Sequence, residues 1–340
     1  MEEPLNVLVL MDFSDALIER LRAVSPRLKI TRKIVKNAGE IPADVWANVD
    51  VLYTGTILPE PDNAPRLRWI QAHSAGVDQL MTHPLLSAED IILTTTSGIH
   101  ATTIAEFTFA MIFALARKIP TMLRMAQKAE WTQDRLATLA PRELRGSTLG
   151  LVGYGSIGRE VARIARAFGM EVLATKRNVM HPAMHNKYVE PGTGDVEGTM
   201  VDRLYPPEAT RSMAALCDFL VVSAPLTNGT KALIDAEVLG AMKKSAYIVN
   251  IARGAVIDEE ALIKALQTNQ IAGAGLDVFI QEPLPPSSPF WKLDNVIISP
   301  HISGNTPRYH ELAADVFAEN LERYLSHRDL INRVDKKLGY

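Results

Sequence analysis

The chain has 340 residues, 47% hydrophobic and 22% charged, which is ordinary globular composition with enough length for two domains with cores of their own. Its 36 basic and 39 acidic residues give a formal net charge of -3, which leaves no cationic footprint for nucleic acid or an anionic membrane surface. A single cysteine, Cys217, closes no internal disulfide and lacks fellow thiolates for a zinc site, so no metal is expected and a reducing, cytoplasmic setting is.

The opening Met1-Glu2-Glu3-Pro4 is acidic where a secretory signal is basic. The apolar run at 7–11 predicts a first buried strand and 14–23 a helix, followed by strands at 51–53, 69–72 and 91–94. Such alternation argues for a parallel sheet flanked by helices. Residues 102–117 carry a helical pattern without Gly or Pro, long enough to bridge two lobes, and 120–129 continue as a second helix. The domain crossing is placed near residue 99. The most apolar long stretch, 104–116, contains Glu106 and Thr108 and is shorter than the ~20 residues that span a bilayer.

A second alternating series begins at 147–152 and runs through 171–174, 219–223, 246–250, 272–278 and 296–299, predicting a second doubly wound sheet. A helix over 308–325 is expected to return to the first lobe, so that two crossings let the halves hinge. Residues 179–211, with Gly192, Gly194, Gly198 and Pro206-Pro207, are longer than the usual connection and read as a surface excursion without an assigned use.

Gly153-Tyr154-Gly155-Ser156-Ile157-Gly158 matches G-x-G-x-x-G, follows the apolar run ending at Val152 and opens the helical pattern 159–168. In that context the first glycine permits the turn, the second lets backbone approach a pyrophosphate, and the third seats the helix against the sheet with its N-terminus toward the anion. About twenty residues on, an acidic residue would bind a free ribose 2'-hydroxyl. Here the residues are Thr175-Lys176-Arg177, and Asp and Glu are absent from 172–189. Two cations in that place attract a 2'-phosphate, Arg177 with fork geometry and Lys176 as a point charge, predicting NADP(H) over NAD(H).

Reducing a ketoacid requires a cation for its carboxylate, a proton donor beside the carbonyl oxygen, and a neighbour that favours the donor's charged form. Three candidates follow successive predicted strands: Arg253 in Asn250-Ile251-Ala252-Arg253-Gly254, Glu282 in the loop after Gly275-Leu276-Asp277-Val278-Phe279, and His301 in Ser299-Pro300-His301. A carboxylate beside an imidazole favours imidazolium, so a Glu282 and His301 pair can deliver a proton as hydride reaches carbon. Taken singly, each has a duller reading: a capping cation, a solvated loop charge, a structural histidine. Together, all at strand ends downstream of a dinucleotide loop, they form a constellation.

The order G-Y-G-S-I-G, N-I-A-R-G, G-L-D-V-F-x-x-E-P and S-P-H-I-S-G, covering nearly the whole chain, resembles the D-isomer-specific 2-hydroxyacid dehydrogenase family. The resemblance implies an α/β protein with two doubly wound parallel-sheet domains. A Rossmann cofactor domain at 100–305 would be inserted into a flavodoxin-like substrate-binding domain made of 1–99 and 306–340. It also implies that Arg253 binds and polarises substrate, Glu282 supports the histidine, His301 is the acid and base, and Asp277 lies near the nicotinamide amide. Ser74, Ala75, Gly76 and Val77 resemble the family's substrate loop, whose backbone N–H groups grip a carboxylate. Thr103, Pro225 and Thr230, with Ile251 and Ala252, match stretches that line the cofactor.

Glu282 departs from the glutamine of formate dehydrogenases. The stop at Tyr340 without a regulatory domain, together with the Lys176-Arg177 pair, disfavours an NAD-linked phosphoglycerate-type dehydrogenase, which stays as an alternative to a glyoxylate or hydroxypyruvate reductase. A non-catalytic, dinucleotide-sensing corepressor on this fold is the alternative of a different class. Side-chain specificity depends on loops around Thr54-Gly55-Thr56 and Ser74 to Val77. Trp131 and the apolar segment 136–139 could supply a two-fold interface, so a homodimer is expected by analogy with the family.

Overall fold

The computed structural model describes residues 3–339, which fall into two compact units. Unit 1 runs to Ile99 and includes His185–Tyr188 and the chain from Thr306; unit 2 comprises His100–Met184 and Val189–Asn305. The polar excursion thus leaves unit 2 and returns to it, and the chain passes between units four times rather than the expected two.

Unit 1 contains β1 (Leu5–Val9), α1 (Asp15–Arg22), β2 (Leu28–Arg32), α2 (Ala43–Asn48), β3 (Val51–Thr54), β4 (Trp69–Ala72) and β5 (Ile92–Thr94). The strands are parallel in the order β2-β1-β3-β4-β5, the 2-1-3-4-5 winding of flavodoxin-like sheets. Every residue of β3 and β4 is buried, as expected of central parallel strands covered on both faces. β2 escapes the sequence reading because it is an edge strand in which Lys29 and Thr31 alternate outward between Leu28 and Ile30. The Ser14 hydroxyl caps α1 by accepting the Leu17 N–H at 3.3 Å.

The C-terminal helix, Tyr309–Leu325, belongs to unit 1 and buries Leu312, Ala313, Val316, Phe317, Asn320 and Leu321 along one stripe. Phe317 lies 4.8 Å from Tyr53 and 5.4 Å from Trp69 by ring centroids, while Tyr324 stacks on Trp69 at 5.3 Å. A buried polar chain runs through this apolar contact. Trp69 Nε1 donates to Thr94 Oγ1 (2.7 Å), Thr94 Oγ1 to Gln71 Oε1 (2.8 Å), and Asn320 Nδ2 to the same Gln71 oxygen (3.2 Å). Asn320 also pairs with the backbone of Ile331 in both directions, at 2.8 and 3.1 Å. Asn332 receives the excursion: its N–H donates to Asn186 O (2.9 Å) and its Oδ1 accepts Tyr188 N–H (3.2 Å).

Unit 2 contains α3 (Ala101–Ala116), α4 (Ile119–Gln127), α5 (Arg135–Leu139), β6 (Thr148–Val152), α6 (Ser156–Ala167), β7 (Glu171–Thr175), β8 (Arg203–Tyr205), α7 (Thr210–Ala214), β9 (Phe219–Val222), α8 (Ala236–Ala241), β10 (Tyr247–Asn250), α9 (Glu259–Gln267), β11 (Gly273–Leu276) and β12 (Val296–Ile298). All are parallel in the order β12-β11-β10-β9-β6-β7-β8, a Rossmann winding whose direction reverses between β6 and β9. β8 emerges from the end of the polar excursion as the opposite edge strand. α3, expected to bridge lobes, lies in unit 2 and packs against α6, β10 and β11. No helix among the described residues is long and apolar enough to cross a membrane.

Removing the Asn320 amide leaves the Ile331 N–H and C=O and the Gln71 oxygen buried with lost partners. Asn320→Ala is expected to lower stability by about 2–4 kcal/mol, two or three unsatisfied groups' worth, as read by equilibrium denaturation followed by circular dichroism. A loss within about 0.5 kcal/mol, the size of an ordinary surface change, would show that the network does not hold the helix.

Candidate active site

The first part of the site is the turn between β6 and α6. Gly153 has φ +103, a backbone conformation that L side chains rarely adopt, and a Cβ there would lie 2.9 Å from the Ala224 backbone. Its N–H donates to Thr175 Oγ1 (3.0 Å) and its carbonyl accepts from Ser223 Oγ (3.0 Å), so neighbouring strand ends fix the turn from both sides. A Cβ at Gly158 would lie 2.4 Å from Gly153 O, which is the close packing of helix start on turn. Gly155 differs: a Cβ there would meet no protein atom within 4 Å. Open space over the middle glycine, at the start of a helix with no side-chain cap, suits a diphosphate held on backbone N–H groups, and the residues fit a dinucleotide.

Lys176 follows β7 directly, with its N–H donating to Tyr205 O (2.9 Å). Its side chain is half-buried, and burial, aided by the nearby Arg159 charge, holds its amine below the usual lysine range. Arg177 is exposed beside it.

The second part lies at the carboxyl ends of β10, β11 and β12, three neighbouring strands. Past β10, Asn250 shapes the turn: its Oδ1 accepts Ala252 N–H (3.1 Å) and its Nδ2 donates to Arg253 O (3.1 Å). Ile251 and Ala252 are buried, and the half-buried Arg253 donates from Nη1 to Ala252 O (2.8 Å). Gly254 allows the turn to touch the next loop, since a Cβ would lie 2.0 Å from Phe279 C. That contact was missed by sequence reasoning, although the glycine following the arginine was its signal.

Glu282 spans two partners. Its Oε1 accepts Phe279 N–H (2.9 Å) and its Oε2 accepts from His301 Nδ1 (2.7 Å). The Arg253 turn, Phe279, Glu282 and His301 therefore form one connected chain of contacts. Both the acid and the imidazole are partly exposed.

Asp277 supports this edge from beneath. It is 1% exposed. Its Oδ1 accepts from Ser299 Oγ (2.7 Å) and Ile302 N–H (2.9 Å), and its Oδ2 accepts Ser303 N–H (3.0 Å). Burial opposes its charge, but the bonds from Ser303, Ser299 and the two backbone N–H groups outweigh burial and hold the carboxyl below its usual range. His301 itself has φ +54 and donates its N–H to Asp277 O (2.9 Å). The clamp by Ser299 and Ser303 was not foreseen: both serines stand in the S-P-H-I-S-G stretch, but their type does not say that they bond to Asp277.

Of the other expected residues, Thr103 is half-buried in the first turn of α3, and Thr230 folds its own loop by donating to Pro225 O (2.6 Å) and accepting Thr227 N–H (2.8 Å). Ser74–Val77 lie in unit 1, where Ser74 Oγ donates to Gly76 O (2.7 Å) and closes the turn, with Ala75 exposed and Val77 buried. Among the described residues no group of three or more His, Cys, Asp or Glu could hold a metal ion.

Residues 109–303 match the family model for the D-isomer specific 2-hydroxyacid dehydrogenase, NAD binding domain. A glyoxylate reductase of Thermofilum pendens is 37% identical over 261 residues, covering 76% of this chain and 72% of that protein. A glyoxylate reductase of Aeropyrum pernix is 32% identical, covering 91% of this chain and 96% of that one. Among solved structures, a D-isomer specific 2-hydroxyacid dehydrogenase from Xanthobacter autotrophicus in complex with NADPH and MES covers all of both chains with a TM-score of 0.80 at 28% identity. With its two parallel sheets and its dinucleotide turn, the chain belongs to the D-isomer specific 2-hydroxyacid dehydrogenases, oxidoreductases that move a hydride between a nicotinamide dinucleotide and a small 2-hydroxy or 2-keto acid.

Proposed function

We propose that this member is an NADP(H)-preferring reductase of short 2-ketoacids of the glyoxylate and hydroxypyruvate kind, with Arg253, Glu282 and His301 as its catalytic residues. The observation that carries the reading is the 2.7 Å bond between Glu282 and His301 at the sheet edge that also bears Arg253. The dinucleotide, when bound, supplies or accepts the hydride at the substrate's alpha carbon. Arg253 holds the carboxylate with its planar fork and polarises the carbonyl. With Nδ1 donating to Glu282, Nε2 of His301 is the nitrogen left to give a proton to the carbonyl oxygen, and in the oxidative direction neutral Nε2 takes it back. Glu282 fixes the ring and its tautomer, while Asp277 holds the backbone that carries it. In unit 1, the turn Ser74–Val77 is read as a grip on a carboxylate by backbone N–H groups.

The cofactor preference rests on Lys176 and Arg177, which stand where a ribose-binding acid would repel a 2'-phosphate. The glyoxylate reductase relatives agree with the substrate class, and the NADPH complex of the Xanthobacter protein agrees with the cofactor. Gly153, Gly155, Ser156, Ile157 and Gly158 would hold the diphosphate, and Thr103, Pro225, Thr230, Ile251, Ala252 and Asp277 line the remainder. The buried, unpaired Cys217 suits the cytoplasm. The apolar side chains of Trp131 and Leu136, 81% and 82% exposed, suit a two-fold contact with a second copy.

NADPH consumption is expected with glyoxylate, hydroxypyruvate or pyruvate, and His301→Gln should lower kcat by about a hundredfold or more while changing dinucleotide affinity little, since general acid catalysis supplies roughly 10²–10⁴. Binding without turnover across the panel would favour a dinucleotide sensor instead. Lys176→Gln with Arg177→Gln should raise KM for NADPH about tenfold or more and leave that for NADH within about twofold, because charge-assisted bonds to phosphate are lost only for the former. Equal changes for both cofactors would refute the preference. By sedimentation, the wild type should be a dimer and Trp131→Glu with Leu136→Asp a monomer; an unchanged mass would place the interface elsewhere.

A further inference from the structure

The excursion between β7 and β8 is fastened to the dinucleotide turn and its helix. Arg159 and Glu160 directly follow the last glycine of Gly153–Gly158, and both are 1% exposed. Buried charges are tolerated only when paired and hydrogen-bonded. Their partners come from the excursion: Arg159 donates from Nη1 to Asp195 O and from Nη2 to Pro182 O, and Glu160 accepts Gly194 N–H at 2.6 Å while pairing with Arg163. Tyr154, the second residue of the glycine turn, donates its hydroxyl to Asp195 Oδ2 and lies under the Arg159 guanidinium at 4.4 Å.

Asp195 is the centre of this arrangement. Besides Tyr154, its carboxylate accepts the N–H groups of Gly198 (3.1 Å), Thr199 (2.9 Å) and Met200 (2.9 Å). The two arms of the excursion are joined by Met184 N–H donating to Val196 O (2.9 Å). The Sδ of Met184 then sits 4.0 Å from Ser156 Oγ, on the first residue of α6. The excursion is thus fastened to α6 and the glycine turn through Arg159, Glu160 and Tyr154, which makes it a wall held at several points rather than a loose loop.

We propose that the excursion forms a further wall of the dinucleotide site, with Met184 bordering the diphosphate and Asp195 as the positioning residue that holds the wall against the glycine turn. The inference rests on the dinucleotide reading above. It assigns to the wall a control over how long the cofactor stays bound, distinct from the 2'-phosphate preference of Lys176 and Arg177.

The test is the dissociation rate of NADPH and of NADH from the purified enzyme, measured by stopped-flow fluorescence, with hydrogen exchange over 180–200 in the presence and absence of NADPH. Asp195→Asn and Met184→Ala are expected to speed dissociation of both dinucleotides about tenfold, in line with the loss of contacts that act on off-rates. The ratio of NADPH to NADH affinity and the KM for ketoacid should stay unchanged, and amides of 182–184 and 194–200 should gain protection when NADPH binds. A merely structural Asp195 would lower the melting temperature without changing the Met184→Ala off-rate or the exchange pattern, and that result overturns the proposal. Should Asp195→Asn fail to fold, Met184→Ala and Tyr154→Phe decide it. A wild-type chain that binds neither dinucleotide overturns the cofactor reading itself, an outcome separate from tight binding with unaltered off-rates in the variants.

Discussion

A buried carboxylate with three donors is the constraint on which the edge that bears Arg253, Glu282 and His301 depends. Asp277 sits in the interior of unit 2, where an ionised group is costly unless fully bonded. Its charge is retained because Ser299, Ile302 and Ser303 all donate to it. Those donors come from the residues flanking His301, so satisfying the charge and shaping the loop are one event. His301 is held at φ +54, a conformation with a small intrinsic cost that the surrounding bonds over-determine. The ring can then meet Glu282 at 2.7 Å without further ordering.

The parallel sheet explains why these groups share an edge. β10, β11 and β12 are neighbours running the same way, so their carboxyl ends lie side by side, and each following loop contributes one polar group. The strands themselves carry almost no chemistry. β10 and β11 are buried throughout, and β11 contains Gly273 and Gly275 where Asn295 and Met111 approach closely. Rigid apolar strands place polar residues at their ends to within hydrogen-bond tolerance, which is what the proposed proton transfer needs.

What was legible in the chain followed from period and spacing. The glycine turn, the central strands and the three polar residues after β10, β11 and β12 all stand next to apolar runs, and such runs signal buried strands irrespective of tertiary context. Two of the four edge strands, β2 and β8, gave no such signal. In β2 two of the five residues, Lys29 and Thr31, are exposed, and β8 is three residues at the close of a polar stretch. Arg159 and Glu160 were equally opaque, because a charge in an amphipathic helix ordinarily reads as a solvated face. They are buried by a segment more than twenty residues away in sequence, through bonds to backbone carbonyls and an N–H that no residue type advertises.

Arg159 also bears on the residue that follows β7. Lys176, shifted by burial and by Arg159, shares its surroundings with a guanidinium that solvent does not reach. Asp195 is the carboxylate that the excursion brings to this cluster, and its oxygens are committed to Tyr154 and to three backbone N–H groups. Burial opposes the charge of Asp195, but the bonds from Tyr154, Met200 and Thr199 and the Arg159 charge outweigh it and hold the carboxyl below its usual range. The excursion thereby buries the Arg159 guanidinium among two backbone carbonyls and an ionised carboxylate, and Arg159 is the charge that, after burial, lowers the Lys176 amine. Fastening the excursion to α6 and burying the guanidinium are in this way one event.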